Sequence, residues 1–586
     1  MMSRTFLLVL LSAQPQFAQS IAETIRVEGH VAATMRDGVK LYGDVYRPRR
    51  EGRFPTLITR TPYGVQREGM HQSVIQFAQQ GYAVVVQDAR GRYESEGAWD
   101  PFRNEANDGF DTVEWAASQP WSNGKVGMHG GSYLGHVQWQ AASKAPPHLT
   151  TIFPVLASTS IYHNTFYHGG AFKLALAFGW GVVRMPNRIM NPQSWHMDAY
   201  APQELKYENI IWTLPLNRID VESSGQKVGF FRNWLKHQSY DDYWRHISDE
   251  ERFGQVKVPA YTFGGWFDLL LGGTINGYTG LRAKGATEIA RKGTKMIIGP
   301  WGHGASQKYG DIDFGPQAMR SLFDLEMRWN DHYLKGVDNG IDREPPVDLF
   351  FMGINKWEKF NDWPVPGSKF TPLYLASGGH ANSMRGDGRL QFGAPSGAAT
   401  DQYVYDPHNP VPSLGGNDCC GAPFLTGPRD QRPVESRHDV LVYTTDILSK
   451  PVAIAGPVKM NLHAATDGRD TDFMIKLVDV YPDGRTMNIA EGILRARFYK
   501  GLDKIELLEP NRPYTFEIDM RGTANVFQVG HRIRVDVTSS NFPQYDRNPN
   551  TGEDLGVSDR VRTANQTVFH SGDRRSHILL PVVAMP

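Results

Sequence analysis

Several stretches of the 586-residue chain carry residue types that together could transfer an acyl group. That chemistry needs an activated oxygen, a base to take its proton, a group to orient the base, and donors for the oxyanion. A serine stands in Gly130-Gly131-Ser132-Tyr133-Leu134-Gly135, an aspartate ends Gly264-Gly265-Trp266-Phe267-Asp268, and a histidine ends Gly299-Pro300-Trp301-Gly302-His303. Ser132 is the candidate nucleophile, Asp268 the acid and His303 the base. Donors for the oxyanion are the backbone N–H of Tyr133 and the hydroxyl of Tyr63, in Arg60-Thr61-Pro62-Tyr63. A serine elbow of the form G-x-S-x-G asks for glycine at position 134. This chain has Leu134 there and its small residue one step later, at Gly135. His129 and His136 also flank Ser132, but neither ends a strand in a loop of its own, so both read as packing residues.

Each candidate needs an element to hold it. The β-branched run Ala83-Val84-Val85-Val86 reads as a fully buried parallel strand. Thr56 to Thr59 is a shorter one, and the apolar spacing of Phe110, Val113, Ala116 and Ala117 is that of an amphipathic helix. A strand over Lys125 to Met128 leads into Ser132, and a helix over Leu134 to Ala142 follows it. Strands over Ala260 to Phe263 and Lys295 to Ile298 lead into Asp268 and His303. This alternation predicts a doubly wound α/β sheet. The chain order Ser, Asp, His is that of α/β-hydrolases.

Residues 156–255 read as a helical insertion rich in Trp, Tyr, His and Asn. From about 370 onward, short alternating runs between turns (Val458 to Leu462, Phe473 to Val480, His531 to Val537) predict an all-β sandwich or jelly roll. The fold class is therefore α/β: an α/β-hydrolase core at 24–155 and 256–369, a helical cap at 156–255, and a C-terminal jelly-roll domain at 370–586. Residues 1–20 have one early charge at Arg4, the apolar run Phe6 to Leu11, and Phe17-Ala18-Gln19-Ser20 before a cut. They read as a signal peptide, hence a secreted or periplasmic protein.

Lys+Arg and Asp+Glu balance at 62 each, so no global field favours nucleic acid or an anionic membrane surface. No later run approaches the roughly 18 apolar residues of a membrane span. The only cysteines, Cys419 and Cys420, are adjacent, which leaves a vicinal disulfide or two thiols. Asp467, Asp470, Asp472 and Asp479 do not have calcium-loop spacing and read as surface carboxylates.

Taken in order, Arg60-Thr61-Pro62-Tyr63, Gln87-Asp88-Ala89-Arg90-Gly91-Arg92 with Ser95-Glu96-Gly97, the Ser132, Asp268 and His303 segments, and Phe351-Met352-Gly353 resemble the cocaine esterase / X-Pro dipeptidyl-peptidase group of hydrolases. α-Amino-acid ester hydrolases and glutaryl-cephalosporin acylases belong to the same group. The resemblance spans nearly the whole mature chain. It implies Ser132 as nucleophile, Asp268 and His303 as its partners, Tyr63 in the oxyanion hole, and Gly135 as the family's own glycine. The acyl-transfer mechanism these residues would carry out needs no cofactor and no metal.

Members selective for α-amino acyl groups resemble D-x-E-D after the acid, whereas here the run is Asp268-Leu269-Leu270-Leu271. An ammonium substrate would lose a charge-assisted contact of about 1.5–3 kcal/mol. The expected partner is a small ester, amide or short peptide, with Trp266, Phe267, Trp301 and Trp180 as candidate substrate contacts. The runners-up are an X-Pro dipeptidyl-peptidase, a glutaryl-type acylase, and an inactive protein whose jelly roll binds glycan. The sequence is silent on oligomeric state.

Overall fold

The computed structural model describes residues 23–65, 68–185, 208–396, 399–419 and 425–586; the expected signal peptide lies outside them. The chain forms two compact units. The first comprises Met1–Pro154, Gln255–Ala260 and Ser321–Asp342; the second comprises Val155–Gly254, Tyr261–Arg320 and Arg343–Pro586.

In the first unit, strands β1 (Ile25–Thr34), β2 (Lys40–Pro48), β3 (Phe54–Thr61), β4 (Ala83–Asp88), β5 (Ser122–Gly131) and β6 (Leu149–Val155) lie in the order β1-β2-β4-β3-β5-β6. β1, β2 and β4 pair antiparallel, while β3 runs parallel to both β4 and β5. Helices α1 (Glu68–Gln79), α2 (Glu105–Ala117) and α3 (Tyr133–Ala142) provide the crossovers. β3 and β4 are buried along their whole length, which is why Ala83 to Val86 carries no polar alternation. Leu57, Val84 and Val86 pack with Val74, Phe77 and Leu334. The residues after β3, β4 and β5 all leave from the carboxyl ends of parallel neighbours, where open α/β sheets place their ligands.

In the second unit, β7 (Tyr261–Gly265), β8 (Lys295–Gly299) and β9 (Val347–Phe351) run parallel, and β10 (Lys356–Phe360) pairs antiparallel with β9. Helix α4 (Leu271–Lys284) connects β7 to β8. Between residues 155 and 254 the described elements are short. They include the wide π-type turns Ile161–Phe166 and Ala177–Arg184, a two-residue ladder of Tyr167–His168 with Ala171–Phe172, and helix Gly229–Lys236. Within the segment expected to be helical, Ala171 to Leu176 is therefore a short strand followed by a single helical turn.

The C-terminal part of this unit is all β. Its long strands include β11 (Val452–Thr466), β12 (Asp472–Val480), β13 (Thr486–Arg495), β14 (Tyr514–Phe527) and β15 (Arg532–Thr538). β11 pairs with β14, and β12 pairs with both β13 and β15, all antiparallel. One apolar core joins Phe473, Ile475, Ile518 and Val535 to Trp266, Phe267, Met296 and Ile298.

Three aspartates expected at the surface are not there. Asp470, Asp472 and Asp479 are buried and lie 2.8–2.9 Å from Arg497, Arg495 and His531, because β12 is covered on both faces. A carboxylate in such a place persists only when paired.

Candidate active site

In the first unit, β5 delivers the chain to Ser132, and α3 begins at the next residue. Ser132 has φ 61° and ψ −125°, a backbone conformation that side-chain-bearing residues rarely adopt. It stands at the N-cap of α3, where a serine ordinarily accepts a bond from the first-turn amides. Its hydroxyl makes no such capping bond. The irregular Leu134 has a packing reason. Gly130 has φ 126°, and a side chain there would meet the Leu134 Cβ at 2.8 Å. Leucine fills the space that glycine leaves, so the turn closes with its bulk at 134. The Ser132 carbonyl accepts from the Gly135 and His136 amides. Tyr133 is the first residue of α3, in the turn whose N–H groups point out of the helix N-terminus.

The two flanking histidines are packing residues in this unit. His129 Nδ1 lies 2.8 Å from Glu326 Oε1, and the buried His136 stands edge-on to Phe102.

Tyr63 follows β3, with its N–H donating to Thr61 Oγ1. Arg92 fixes the turn by donating to the Pro62 carbonyl at 2.8 Å while its guanidinium lies over Trp99. The rings of Tyr63 and Tyr133 meet edge to face, 6.4 Å between centroids. The remaining motif residues form the floor beneath. Buried Arg60 donates to Gln87 Oε1 at 3.0 Å and to Glu105 Oε2 at 2.5 Å, and Glu105 Oε1 accepts from the Tyr133 hydroxyl at 2.7 Å. Burial first, and the Glu105 charge next, hold the Tyr133 phenol well above its usual range, so it stays a donor. This network ties β3, β4 and α2 to the residue after Ser132. Its only local mark in the sequence is a set of charges placed in apolar runs.

In the second unit, β7 ends at Gly265 and the chain turns at once: Asp268 N–H donates to the Gly265 carbonyl at 3.0 Å. A side chain at Gly265 would meet the Trp301 carbonyl oxygen at 2.2 Å, so only glycine lets the two loops approach. Trp266 and Phe267 N–H groups donate to the Gly299 and Trp301 carbonyls, both at 2.9 Å. The loop after β7 is thereby fastened to the loop after β8. His303 Nδ1–H donates to Asp268 Oδ2 at 2.6 Å, and Asp268 Oδ1 accepts from Leu270 N–H at 2.6 Å. Each carboxylate oxygen thus has a fixed donor. With its proton on Nδ1, the imidazole presents the Nε2 lone pair, the form a general base needs.

The ring candidates divide. Trp266, Phe267 and Trp301 are 1%, 1% and 0% exposed; the Trp266 indole donates to Phe350 O, and Trp301 stacks on Phe263. Buried this deeply, they support the turns and offer no surface to a ligand, which corrects their reading as substrate contacts. Trp180 is half-buried, stacked 6.4 Å from Trp234.

Two residues near the acid have no sequence signature. Asn417 donates from Nδ2 to the Trp266 carbonyl at 2.8 Å and the Asp268 carbonyl at 3.0 Å. Lys173 donates from Nζ to the Leu269 carbonyl at 2.9 Å. Burial, and the nearby Arg521 charge, push the Lys173 ammonium down to about 7. Cys419 is disulfide-bonded, and the chain's only other cysteine, Cys420, lies outside the described residues.

Residues 37–305 match the family model of the X-Pro dipeptidyl-peptidase (S15 family), and residues 339–579 match the X-Pro dipeptidyl-peptidase C-terminal non-catalytic domain. Over 584 residues the chain is 35% identical to the cocaine esterase of Rhodococcus sp. (strain MB1 Bresler), covering 95% of this chain and 98% of that protein. Two solved structures are similar throughout. An aminopeptidase from the marine sediment archaeon Thaumarchaeota archaeon has a TM-score of 0.81 and 27% identity, covering 96% of each chain. An α-amino acid ester hydrolase labelled with selenomethionine has a TM-score of 0.80 and 26% identity, covering 96% of this chain and 97% of that one.

Proposed function

From a chain that belongs to the X-Pro dipeptidyl-peptidase (S15) family and is a serine hydrolase, we propose an esterase for neutral acyl groups that works through an acyl-enzyme on Ser132. One observation carries the residue assignment. A serine with φ 61° sits on a strand-to-helix turn, in a chain whose His303 and Asp268 are held 2.6 Å apart in the base-competent arrangement.

In this mechanism Ser132 Oγ attacks the ester carbonyl while His303 Nε2 takes its proton. Asp268 orients the imidazole and stabilises the imidazolium. The Tyr133 N–H and the Tyr63 hydroxyl donate to the oxyanion as the carbonyl becomes tetrahedral. His303 returns its proton to the departing alcohol. It then takes one from water, which attacks the acyl-enzyme and releases the acid.

The preference for neutral acyl groups rests on the three leucines after Asp268. Leu269, Leu270 and Leu271 are all buried and carry no carboxylate, and the Leu269 carbonyl accepts from Lys173 Nζ at 2.9 Å. An α-ammonium would find no charged partner in that run. Ser132→Ala is the test: turnover of p-nitrophenyl esters and labelling by a fluorophosphonate both vanish, and retained wild-type turnover overturns the assignment.

A second reading, an X-Pro dipeptidyl-peptidase, draws on a cavity of about 540 Å³ in the second unit. Glu250, Glu517 and Asp519 edge it, a setting suited to an ammonium. Faster hydrolysis of a Gly-Pro anilide than of neutral esters would favour that reading. We also read the all-β region as a jelly roll, and residues 1–20 as an export signal, supported by the apolar run Phe6 to Leu11. Among the described residues, no helix is long and apolar enough to cross a membrane.

A further inference from the structure

We infer that the C-terminal β region supplies a positioning residue for the catalytic acid: Asn417, whose side-chain amide bridges the main-chain carbonyls of Trp266 and Asp268. This rests on the reading of Asp268 as the acid of the triad. It gives a role in the reaction to a region whose family description is non-catalytic.

The aim of the carboxylate depends on two bonds. Asp268 Oδ2 holds His303, and Oδ1 holds the Leu270 amide two residues on. The direction of the carboxylate is therefore set by the backbone from Gly265 to Leu271. That backbone is closed by the Asp268 N–H to Gly265 O bond at 3.0 Å and the Leu271 N–H to Asp268 O bond at 3.2 Å, which leaves the carbonyls of Trp266 and Leu269 to be satisfied from outside the turn. Asn417 takes the Trp266 carbonyl and adds a second donor to the acid's own carbonyl, and Lys173 takes that of Leu269. Buried carbonyls need partners, and among uncharged side chains only an amide carries two N–H donors on one atom.

Asn417 is itself held rigidly. It is 3% exposed. Its N–H donates to Glu491 Oε1 at 2.9 Å, and its carbonyl accepts from Gln544 Nε2 at 3.1 Å. Gln544 Nε2 also donates to the same Glu491 oxygen at 2.6 Å, and Glu491 lies on β13. Gly416, with φ 92°, lets the chain pass against Glu491, where any side chain would stand 2.2 Å from Oε2. A continuous run of hydrogen bonds thus leads from the β region to the turn that carries Asp268. Supporting groups of this kind are commonly worth about 10–100-fold in activity, because small misplacements of catalytic groups are costly.

The experiment compares wild type, Asn417→Ala and Asn417→Asp on a neutral p-nitrophenyl ester from pH 5.5 to 9, with thermal midpoints recorded. Asn417→Ala is expected to lower kcat about 10–100-fold while KM stays within about twofold, since no substrate contact is removed. Asn417→Asp places an acceptor against two carbonyls, so at pH 8 it falls below the alanine variant. The charges around the introduced carboxyl are Glu491 on β13, Asp418 beside it in the chain, Asp268 and His303 in the turns, and Lys173 from the segment before α4. As pH drops, the carboxyl takes a proton and regains one donor, so the ratio of the aspartate to the alanine variant rises; a purely structural role leaves it flat.

A kcat for Asn417→Ala within twofold of wild type, or a flat ratio, overturns the inference. If the alanine variant does not fold, the pH dependence of Asn417→Asp against wild type decides alone. Ser132→Ala separates the two levels. Activity surviving there defeats the triad itself; a dead Ser132→Ala with unperturbed Asn417 variants defeats only the positioning role.

Discussion

Replacing Asp268 with asparagine changes one atom, and the structure dictates how the new amide must lie. Asp268 is fully buried, and its Oδ1 accepts from the Leu270 main-chain N–H at 2.6 Å. That donor cannot turn around, so the amide oxygen must stay against it; the opposite orientation would bury two N–H groups facing each other. The amide nitrogen therefore points at His303 Nδ1, 2.6 Å from the former Oδ2. To meet a donor, Nδ1 gives up its hydrogen, which moves to Nε2. The imidazole is then in the tautomer that cannot accept the serine proton. When a triad carboxylate becomes an amide in this way, kcat falls by about 10⁴, or about 5.4 kcal/mol at 1.36 kcal/mol per decade. Asp268→Ala loses imidazolium stabilisation but leaves the tautomer unforced, so Asp268→Asn is expected to be no better than the alanine variant at pH 7. The assay is steady-state hydrolysis of a p-nitrophenyl ester by both variants, with titration of active sites to correct for folding. An Asp268→Asn enzyme retaining more than a tenth of wild-type kcat would refute the tautomer argument.

Single features of the structure set three further outcomes. Ser132→Gly relieves a strained φ of 61°, a strain worth about 1–3 kcal/mol against a glycine entropy cost of about 0.5–1 kcal/mol; it should raise the denaturation midpoint while abolishing turnover, and a lowered midpoint contradicts the strain. Asp88 is buried, and burial pushes its carboxyl up to about 8, so the native state keeps a proton that the unfolded chain releases near pH 4. Its stabilising contribution is complete below about pH 4 and is lost by about 1.4 kcal/mol per unit as pH rises toward 8. Asp88→Asn should gain stability relative to wild type across that window in paired urea titrations, and parallel curves would exclude it. Ser377, His570 and Asp401 form a second serine–histidine–aspartate cluster, but His570 Nε2 faces both Ser377 Oγ at 3.0 Å and Asp401 Oδ2 at 3.1 Å. One nitrogen cannot be both the oriented end and the base, so Ser377→Ala should leave ester hydrolysis within about twofold of wild type; a large loss in kcat would place chemistry there.

Much of the α/β part was legible because its signals are local. A buried parallel strand has to be apolar on both faces, and Ala83 to Val86 shows it over consecutive residues. A strand, a glycine-rich turn and a helix around Ser132 occupy one short stretch, as do the strands ending before Asp268 and His303. In the C-terminal part, the alternation in Phe473 to Val480 located a strand but misjudged its burial. Period-two patterning reports one covered face, and β12 is covered on two. The segment from 156 to 255 yielded least, since its turns are too short for a helical period to repeat.

By itself, then, the sequence determined the α/β core, the order Ser132, Asp268, His303, and the carboxyl-end loops that carry them. These depend on residues within one turn or strand of each other. Only the tertiary structure decided that Leu134 fills the space above Gly130, that Trp266 and Trp301 are buried supports of their turns, and that three aspartates are buried beside arginines or a histidine. It alone brought Asn417 to a carbonyl 149 residues earlier in the chain. Such a bond leaves no periodicity behind. It exists because the path of the whole chain brings a donor to buried acceptors that must be satisfied.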